Sequence, residues 1–212
     1  MFITEVVRTA KIFLRYLEEE DNGIIMGEVT KGEVEGILRL MKKDKGLGVE
    51  DGRTVEFFQH FFESYGSDLI EVVEESRVKG SIFDAFNTTF IALILKEDPL
   101  SSEDFRPISL CNCIYKIIAK VIAGRLKLIL SRNISKEKFG FLDGWKIHEA
   151  VGVPHENIHS IKKSRRKGVI VKTYLSKAYD QISWMYIQML LTHLGFNIGF
   201  TNWVMGCMHG KF

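Results

Sequence analysis

A single uncharged stretch, TTFIALIL at positions 88–95, constrains the fold of this chain more than any other feature. Apolar and β-branched residues follow one another there without polar alternation, which is typical of a strand buried on both faces. Helical spacings of apolar residues surround the stretch, and no regular strand–helix–strand rhythm connects them. The sequence therefore predicts a helix-rich α+β fold.

The other elements follow from hydrophobic spacing and from capping residues. Thr30 with Glu33 three residues later has the pattern of a capping box, and Val34, Ile37 and Leu38 follow it on one helical face. Helices are predicted over 1–20, 30–43, 53–65, 67–79, 112–131, 147–165, 183–194 and 199–209, with further strands at 106–110 and 168–175.

Length and composition exclude several classes of protein. The chain has 212 residues, 46% of them hydrophobic, as in an ordinary folded domain. Three cysteines are too few for a disulfide framework and predict a reducing compartment, without a choice between nucleus and cytoplasm. No uncharged apolar run reaches 18 residues, so we expect no membrane association.

Charge is distributed unevenly along the chain. Up to Asp104 there are 22 acidic and 12 basic residues, whereas from Phe105 onward there are 5 acidic and 17 basic residues. A basic half beside an acidic half suggests a polyanion, such as nucleic acid, as the partner of the second half. Attraction between the halves, or to a neighbouring domain, explains the same pattern.

Two motifs of weak specificity are better explained by structure than by chemistry. The glycine-rich segment 46–52 lacks the Lys-Ser/Thr of a phosphate-binding loop and follows a helix, so it predicts a helix connection. His155 and His159 have the i, i+4 spacing of metal ligands, with His148 one heptad earlier. Since no cysteine or acidic cluster lies nearby in sequence, solvated histidines are the better interpretation.

Cations at three places are candidates for phosphate contacts. Lys96 ends the first predicted strand and Arg106 opens the next, so two cations at adjacent strand ends suit a triphosphate. A further run follows at a predicted helix end, where it could bind phosphate, act as a nuclear localisation signal, or complement the helix dipole: Lys162, Lys163, Arg165, Arg166 and Lys167.

Several motifs in the same order resemble the reverse-transcriptase domain of non-LTR (LINE-type) retrotransposons, especially the plant kind. The block TFIALILKEDPLSSEDFRPISLCNCIYKIIAKVIAGRLKLIL at 89–130 carries most of the resemblance, together with GFLDG at 140–144 and LSKAYDQISW at 175–184. The resemblance extends from about Thr30 to Met208. It implies a partial right-hand polymerase fold with an incomplete palm sheet.

The resemblance also implies a domain division and residue roles. Residues 1–29 would be a helical extension, and 30–212 a truncated reverse-transcriptase domain with the fingers and first part of the palm. Lys96 and Arg106 would touch the phosphates of the incoming nucleotide, and Tyr179 would lie under the deoxyribose and exclude a 2′-hydroxyl. Where the family has arginine after Gly144, this chain has Trp145.

Two departures from the family pattern concern the metal ions. Members of the family bind Mg²⁺ through palm carboxylates, but the first carboxylate position is Tyr174 here, and Asp180 does not replace it. The other carboxylates belong to an Asp-Asp hairpin, and no Asp-Asp pair precedes the last residue, Phe212. We therefore expect no bound metal, no small-molecule cofactor and no polymerase activity.

Two non-catalytic functions remain open on the sequence. The basic half could still bind an RNA template or an RNA–DNA hybrid through its phosphates. Alternatively, an unpaired palm edge and exposed fingers helices could form a protein-interaction surface.

Overall fold

The computed structural model describes residues 17–41, 54–95, 105–133, 147–164 and 181–209. The chain divides into two compact units, one formed by residues 1–125 with 184–212 and the other by residues 126–183. The described elements are, in chain order, α1 (Glu19–Ile25), α2 (Lys31–Leu40), α3 (Val55–His60), α4 (Phe62–Lys79), β1 (Thr89–Leu95), β2 (Phe105–Cys111), α5 (Cys113–Asn133), α6 (Ile147–Lys163), α7 (Trp184–Leu194) and α8 (Ile198–Met208).

α1 begins where the sequence predicted that a helix ends. The acidic run before Asn22 lies in the first turn of α1, where carboxylates interact favourably with the N-terminal end of the helix dipole. Asp21 accepts a hydrogen bond from the Glu18 N–H at 3.4 Å, which satisfies a backbone donor ahead of the first turn. The prediction that these polar residues terminate a helix is therefore wrong. Residues 1–16 lie outside the described residues.

α2 confirms half of the predicted capping box. The Thr30 hydroxyl accepts a hydrogen bond from the Glu33 N–H at 3.2 Å, and Val34 and Leu38 are buried on one face as predicted. The Glu33 carboxylate does not return to the Thr30 backbone, as the box requires. It binds Arg125 of α5 instead.

α3 and α4 confirm the two consecutive helices predicted over 53–65 and 67–79, but the boundary between them lies earlier in the chain. The break falls at Phe61, and Gly66 lies inside α4, where an added Cβ would be 3.2 Å from the Phe62 ring. At the other end, Gly80 adopts the left-handed conformation at φ 62°, which ends α4 and strongly favours glycine.

β1 and β2 form an antiparallel two-stranded ribbon. Thr89 pairs with Cys111 and Leu95 with Phe105. Five of the seven β1 residues are exposed, including Phe90 and Leu93, so the expectation of a strand buried on both faces is wrong. Within the described residues β1 has only β2 as a neighbour in the sheet.

The core of the first unit lies between α4, α5 and α8. Ile117, Ile118 and Val121 of α5 are fully buried, as is Trp203 of α8. The indole N–H of Trp203 donates a hydrogen bond to the Ser76 hydroxyl at 3.0 Å, so the buried indole is satisfied without water.

α8 approaches the end of α4 closely enough to require glycine. A Cβ on Gly206 would lie 2.7 Å from the Gly80 carbonyl oxygen and 2.9 Å from the Ser81 Cα. Since both obstacles are backbone atoms, no side-chain movement could relieve the clash.

Arg125 connects three parts of the first unit. Its guanidinium donates two parallel hydrogen bonds to the Glu33 carboxylate, at 2.9 and 2.7 Å. Its remaining donors reach the carbonyl of Ile25 at the end of α1 and those of Gly27 and Glu28 in the segment that follows. The side chain is 6% exposed, and all five of its N–H groups have an acceptor.

The later predicted helices are confirmed within about two residues at each end. α5, α6, α7 and α8 correspond to the predicted segments 112–131, 147–165, 183–194 and 199–209. The predicted strand 168–175 lies outside the described residues. None of the described helices combines the length and the apolar character needed to cross a membrane.

We predict that Arg125→Leu destabilises the chain by about 3–5 kcal/mol, because the Glu33 carboxylate and three carbonyls lose their partner in a largely buried position. Arg125→Lys retains the charge but not the forked geometry, and we expect an intermediate loss. Urea unfolding of the full chain measures both. Lys120→Leu, an exposed change on the same helix, serves as the control and should cost less than about 0.5 kcal/mol.

We predict that Glu74 makes folding stability sensitive to acid. The hydrogen bond from Arg77 holds the pKa of this carboxyl below its ordinary value, aided by the Val29 N–H at 3.0 Å. Because the folded pKa is lowered, this contribution to stability is complete above about pH 4.5 and is lost as the pH falls through the folded pKa.

Urea unfolding of the wild-type chain and of Glu74→Gln, measured from about pH 6 to pH 3, checks this prediction. The difference between their free energies of unfolding should be about 1–2 kcal/mol near neutral pH and should shrink in acid. Glu71→Gln removes an exposed carboxylate from α4 without removing these hydrogen bonds, so it should follow the wild-type curve. A constant difference between Glu74→Gln and wild type across this range would contradict the assignment.

Candidate functional site

Arg106 lies on the β ribbon near the end at which β1 finishes. It pairs with Ile94, and the neighbouring Phe105 pairs with Leu95, the residue before Lys96 in the sequence. Arg106 is exposed, so its guanidinium is accessible to a ligand. The two predicted strands are adjacent and pair antiparallel, whereas Lys96 lies outside the described residues and its juxtaposition with Arg106 stays a prediction.

The basic run begins at the end of α6 in the second unit. Lys162 and Lys163 occupy the last turn of this helix and are exposed. This position lets them complement the negative end of the helix dipole, and it also leaves both ammonium groups accessible to phosphate. Arg165, Arg166 and Lys167 lie outside the described residues.

The α6 histidines occupy the positions expected of solvated residues. His155 and His159 are both exposed, one helical turn apart. Among the residues that the structure describes, no group of three or more His, Cys, Asp or Glu side chains could hold a metal ion.

The remaining predicted site residues cannot be placed in the fold. Tyr174, Tyr179 and Asp180 belong to the segment 165–180, outside the described residues, as do the glycine-rich segment and Trp145. Their assigned roles stay predictions.

Tyr115 and Cys207 form a partly buried polar pair that no motif in the sequence indicated. The Tyr115 hydroxyl of α5 donates a hydrogen bond to the Cys207 carbonyl at 2.8 Å. Burial raises the pKa of the Tyr115 phenol and is also the main reason why the pKa of the Cys207 thiol is raised. Both groups stay protonated at neutral pH, so Cys207 is not an activated nucleophile.

The cysteines of the Cys-x-Cys pair differ in environment. Cys113 is buried, whereas Cys111 at the end of β2 is half-buried. The Thr89 hydroxyl lies 3.6 Å from the Cys111 sulfur across the ribbon, a contact between paired residues. Both thiols are free.

Arg125 is a cation that the charge count assigned to the wrong role. The sequence groups it with the basic residues available to a polyanion, whereas the structure uses it inside the fold. A signal was present, because Arg125 follows Val121 and Ile122 by four and three residues and so shares their buried helical face.

The described candidate cations, Arg106 in the first unit and Lys162 and Lys163 in the second, are all exposed. Arg106 on the ribbon offers a forked donor of the kind that binds phosphate oxygens. Lys162 and Lys163 offer two mobile point charges on a separate unit.

Comparisons with known proteins give this chain a family. A family model described as reverse transcriptase (RNA-dependent DNA polymerase) matches residues 94–210, more than half of the chain, including β2 and α5. The chain is also 30% identical over 160 residues to the "Transposon TX1 uncharacterized 149 kDa protein" of Xenopus laevis. That alignment covers 75% of this chain and 12% of the relative, so the chain spans only a small part of the relative's length. These matches confirm the reverse-transcriptase resemblance, and the chain belongs to the reverse transcriptase (RNA-dependent DNA polymerase) family.

Proposed function

We propose that this chain is a partial reverse-transcriptase domain of a non-LTR retrotransposon of the plant kind. In this proposal residues 1–29 are a helical extension, and 30–212 hold the fingers and the first part of the palm. The block from Phe105 to Leu130, which forms β2 and most of α5 and lies within the family match, is the observation that carries it. The similarity to a frog protein named as a transposon product supports the mobile-element origin.

The proposed nucleotide contact lies on the β ribbon. Arg106 is exposed near the end of the ribbon from which the chain continues to Lys96. Two cations at this end would bind the phosphates of a nucleotide, and Tyr179 would contact its sugar.

We propose further that the 212-residue polypeptide does not polymerise DNA. The first catalytic carboxylate of the family corresponds to Tyr174, and a neutral phenol is a poor ligand for Mg²⁺. No Asp-Asp pair occurs anywhere in the 212 residues. In the intact family Mg²⁺ stabilises the charge that develops during nucleotide transfer. The residues present here do not fit that ion, and no described cluster replaces them.

A second candidate is a non-catalytic module that binds RNA or an RNA–DNA hybrid. Exposed Lys162 and Lys163, followed in sequence by three further cations, favour this function. Such contacts reach only the phosphates, so binding would be independent of sequence and weakened by salt.

We predict that the polypeptide leaves a primer unextended when it is incubated with a primed RNA template, dNTPs and Mg²⁺, because it lacks the metal-binding carboxylates. Tyr174→Asp alone should not restore extension, since the second source of carboxylates is still missing. Gel analysis of a labelled primer measures the product, with an active reverse transcriptase in the same buffer as the positive control. Extension by the purified wild-type chain above the buffer blank would refute the proposal.

We predict salt-sensitive affinity for an RNA–DNA hybrid, with a dissociation constant of about 10⁻⁴–10⁻⁶ M near physiological salt. Replacing the five cations of the basic run by alanine should weaken binding and reduce the salt slope by roughly 0.7–0.9 for each lost phosphate contact. Fluorescence anisotropy at several salt concentrations measures both quantities. Lys31→Ala/Arg39→Ala removes cations from the acidic half and should change neither. Absence of binding at low salt removes this candidate and leaves the polymerase-family assignment intact.

A further inference from the structure

A groove runs along one side of α4 in the first unit. Two cavities of about 580 and 310 Å³ open beside this helix and meet at Val72 and Phe86. From Tyr65 to Lys79, residues of α4 line them at helical spacing, so the groove follows the helix axis. This feature is called the α4 groove below.

The α4 groove is apolar at its base and aromatic at its lips. Leu69, Ile114 and Ile118 form the base and are almost entirely buried. Tyr65 at one end and Phe83 at the other are 51% and 71% exposed. Large aromatic side chains that remain this exposed around an apolar channel are typical of a surface that binds a partner.

The rim of the α4 groove is acidic. Asp68 is exposed and has no ion-pair partner within the described part of the chain, while Glu75 and Asp84 line the other end. Lys79, the lining cation, already forms an ion pair with Glu75. α4 carries five acidic residues and two basic ones, so its charge opposes that of the basic half of the chain.

The length of the α4 groove corresponds to a helix of ordinary size. Lys79 follows Tyr65 by fourteen residues along α4, which corresponds to a distance of about 21 Å along the helix axis at 1.5 Å per residue. A partner helix of roughly 14–16 residues would cover that distance. An apolar channel with polar edges is the surface that an amphipathic helix occupies in helix-in-groove recognition.

We propose that the α4 groove binds a basic amphipathic helix of another polypeptide. The apolar face of that helix would lie on the base, and its Lys and Arg side chains would reach Asp68 and the Glu75–Asp84 end. Nucleic acid and anionic membranes do not suit the site, because the same carboxylates repel phosphate. The proposal does not depend on polymerase activity or on nucleotide binding at Arg106.

A labelled synthetic helix of about 16 residues, with leucines on one face and lysines on the other, is the probe. Fluorescence anisotropy with the full-length chain measures its affinity. Asp68→Lys should weaken binding about tenfold by charge repulsion. Glu63→Lys makes the same charge change on the opposite face of α4, at an exposed position, and should change affinity by less than about twofold.

Phe83→Ala tests the apolar contribution without a risk to the core, because this ring is 71% exposed. We expect it to weaken binding about fivefold while the urea midpoint stays unchanged. No binding of the lysine–leucine helix by the wild-type chain would overturn the proposal. Asp68→Lys and Glu63→Lys weakening the binding of the probe equally would overturn it too. So would a wild-type chain that binds a probe with glutamates in place of the lysines as tightly as the lysine–leucine helix.

Binding of labelled RNA distinguishes the proposed peptide site from a phosphate-binding surface. If the groove were a phosphate-binding surface, Asp68→Lys would strengthen the binding of labelled RNA, and RNA would displace the peptide. That result would contradict the proposed partner. If RNA affinity depends on the basic run and is unaffected by Asp68→Lys, the two binding surfaces are separate and the proposal stands.

Discussion

The Arg125 ion pair is the interaction on which the first unit depends. A forked guanidinium holds the Glu33 carboxylate of α2 and three carbonyls at the end of α1 and in the segment that follows, so one side chain of α5 fixes the path of that segment. Removing two charges from water is costly, and such a pair stabilises only when every donor and acceptor is satisfied. All five N–H groups of Arg125 are satisfied here, and the guanidinium also lies 5.7 Å from the Trp203 ring centroid. The base of the α4 groove and the packing of α8 both rest on this arrangement of helices.

The β ribbon is built differently from the helical core. Its strands are connected by backbone pairing, and their apolar side chains remain exposed within the described residues. The proposed nucleotide contact, Arg106, lies on this element rather than in the core. A binding residue on an exposed strand can be substituted without disturbing the fold, because its side chain makes few packing contacts. Among the described strands β1 has a partner on one side only, and an uncharged strand edge of this kind favours association between chains.

The two charged halves of the chain have distinct proposed roles. The basic half supplies the exposed cations of α6 and β2 for phosphate, whereas the acidic half supplies the rim of the α4 groove. Attraction between the halves contributes as well, since Arg125 of the basic half binds Glu33 of the acidic half. Loss of the metal-binding carboxylates, as proposed, would leave both binding surfaces without the polymerisation chemistry. Binding at either surface can therefore be measured in this chain without a contribution from polymerase activity.

Local sequence determined the helices and the family, and the structure decided which residues are buried. Thr30 marks the start of α2, and the spacing of apolar residues locates α5 and α8, because capping and periodicity act within a few residues. The FRPISL block identified the reverse-transcriptase family, which the comparisons confirm. The partners of Arg125, the exposure of β1 and the α4 groove could not be read from the sequence. Each depends on contacts between segments far apart in the chain, and burial is a property of those contacts rather than of the residue type.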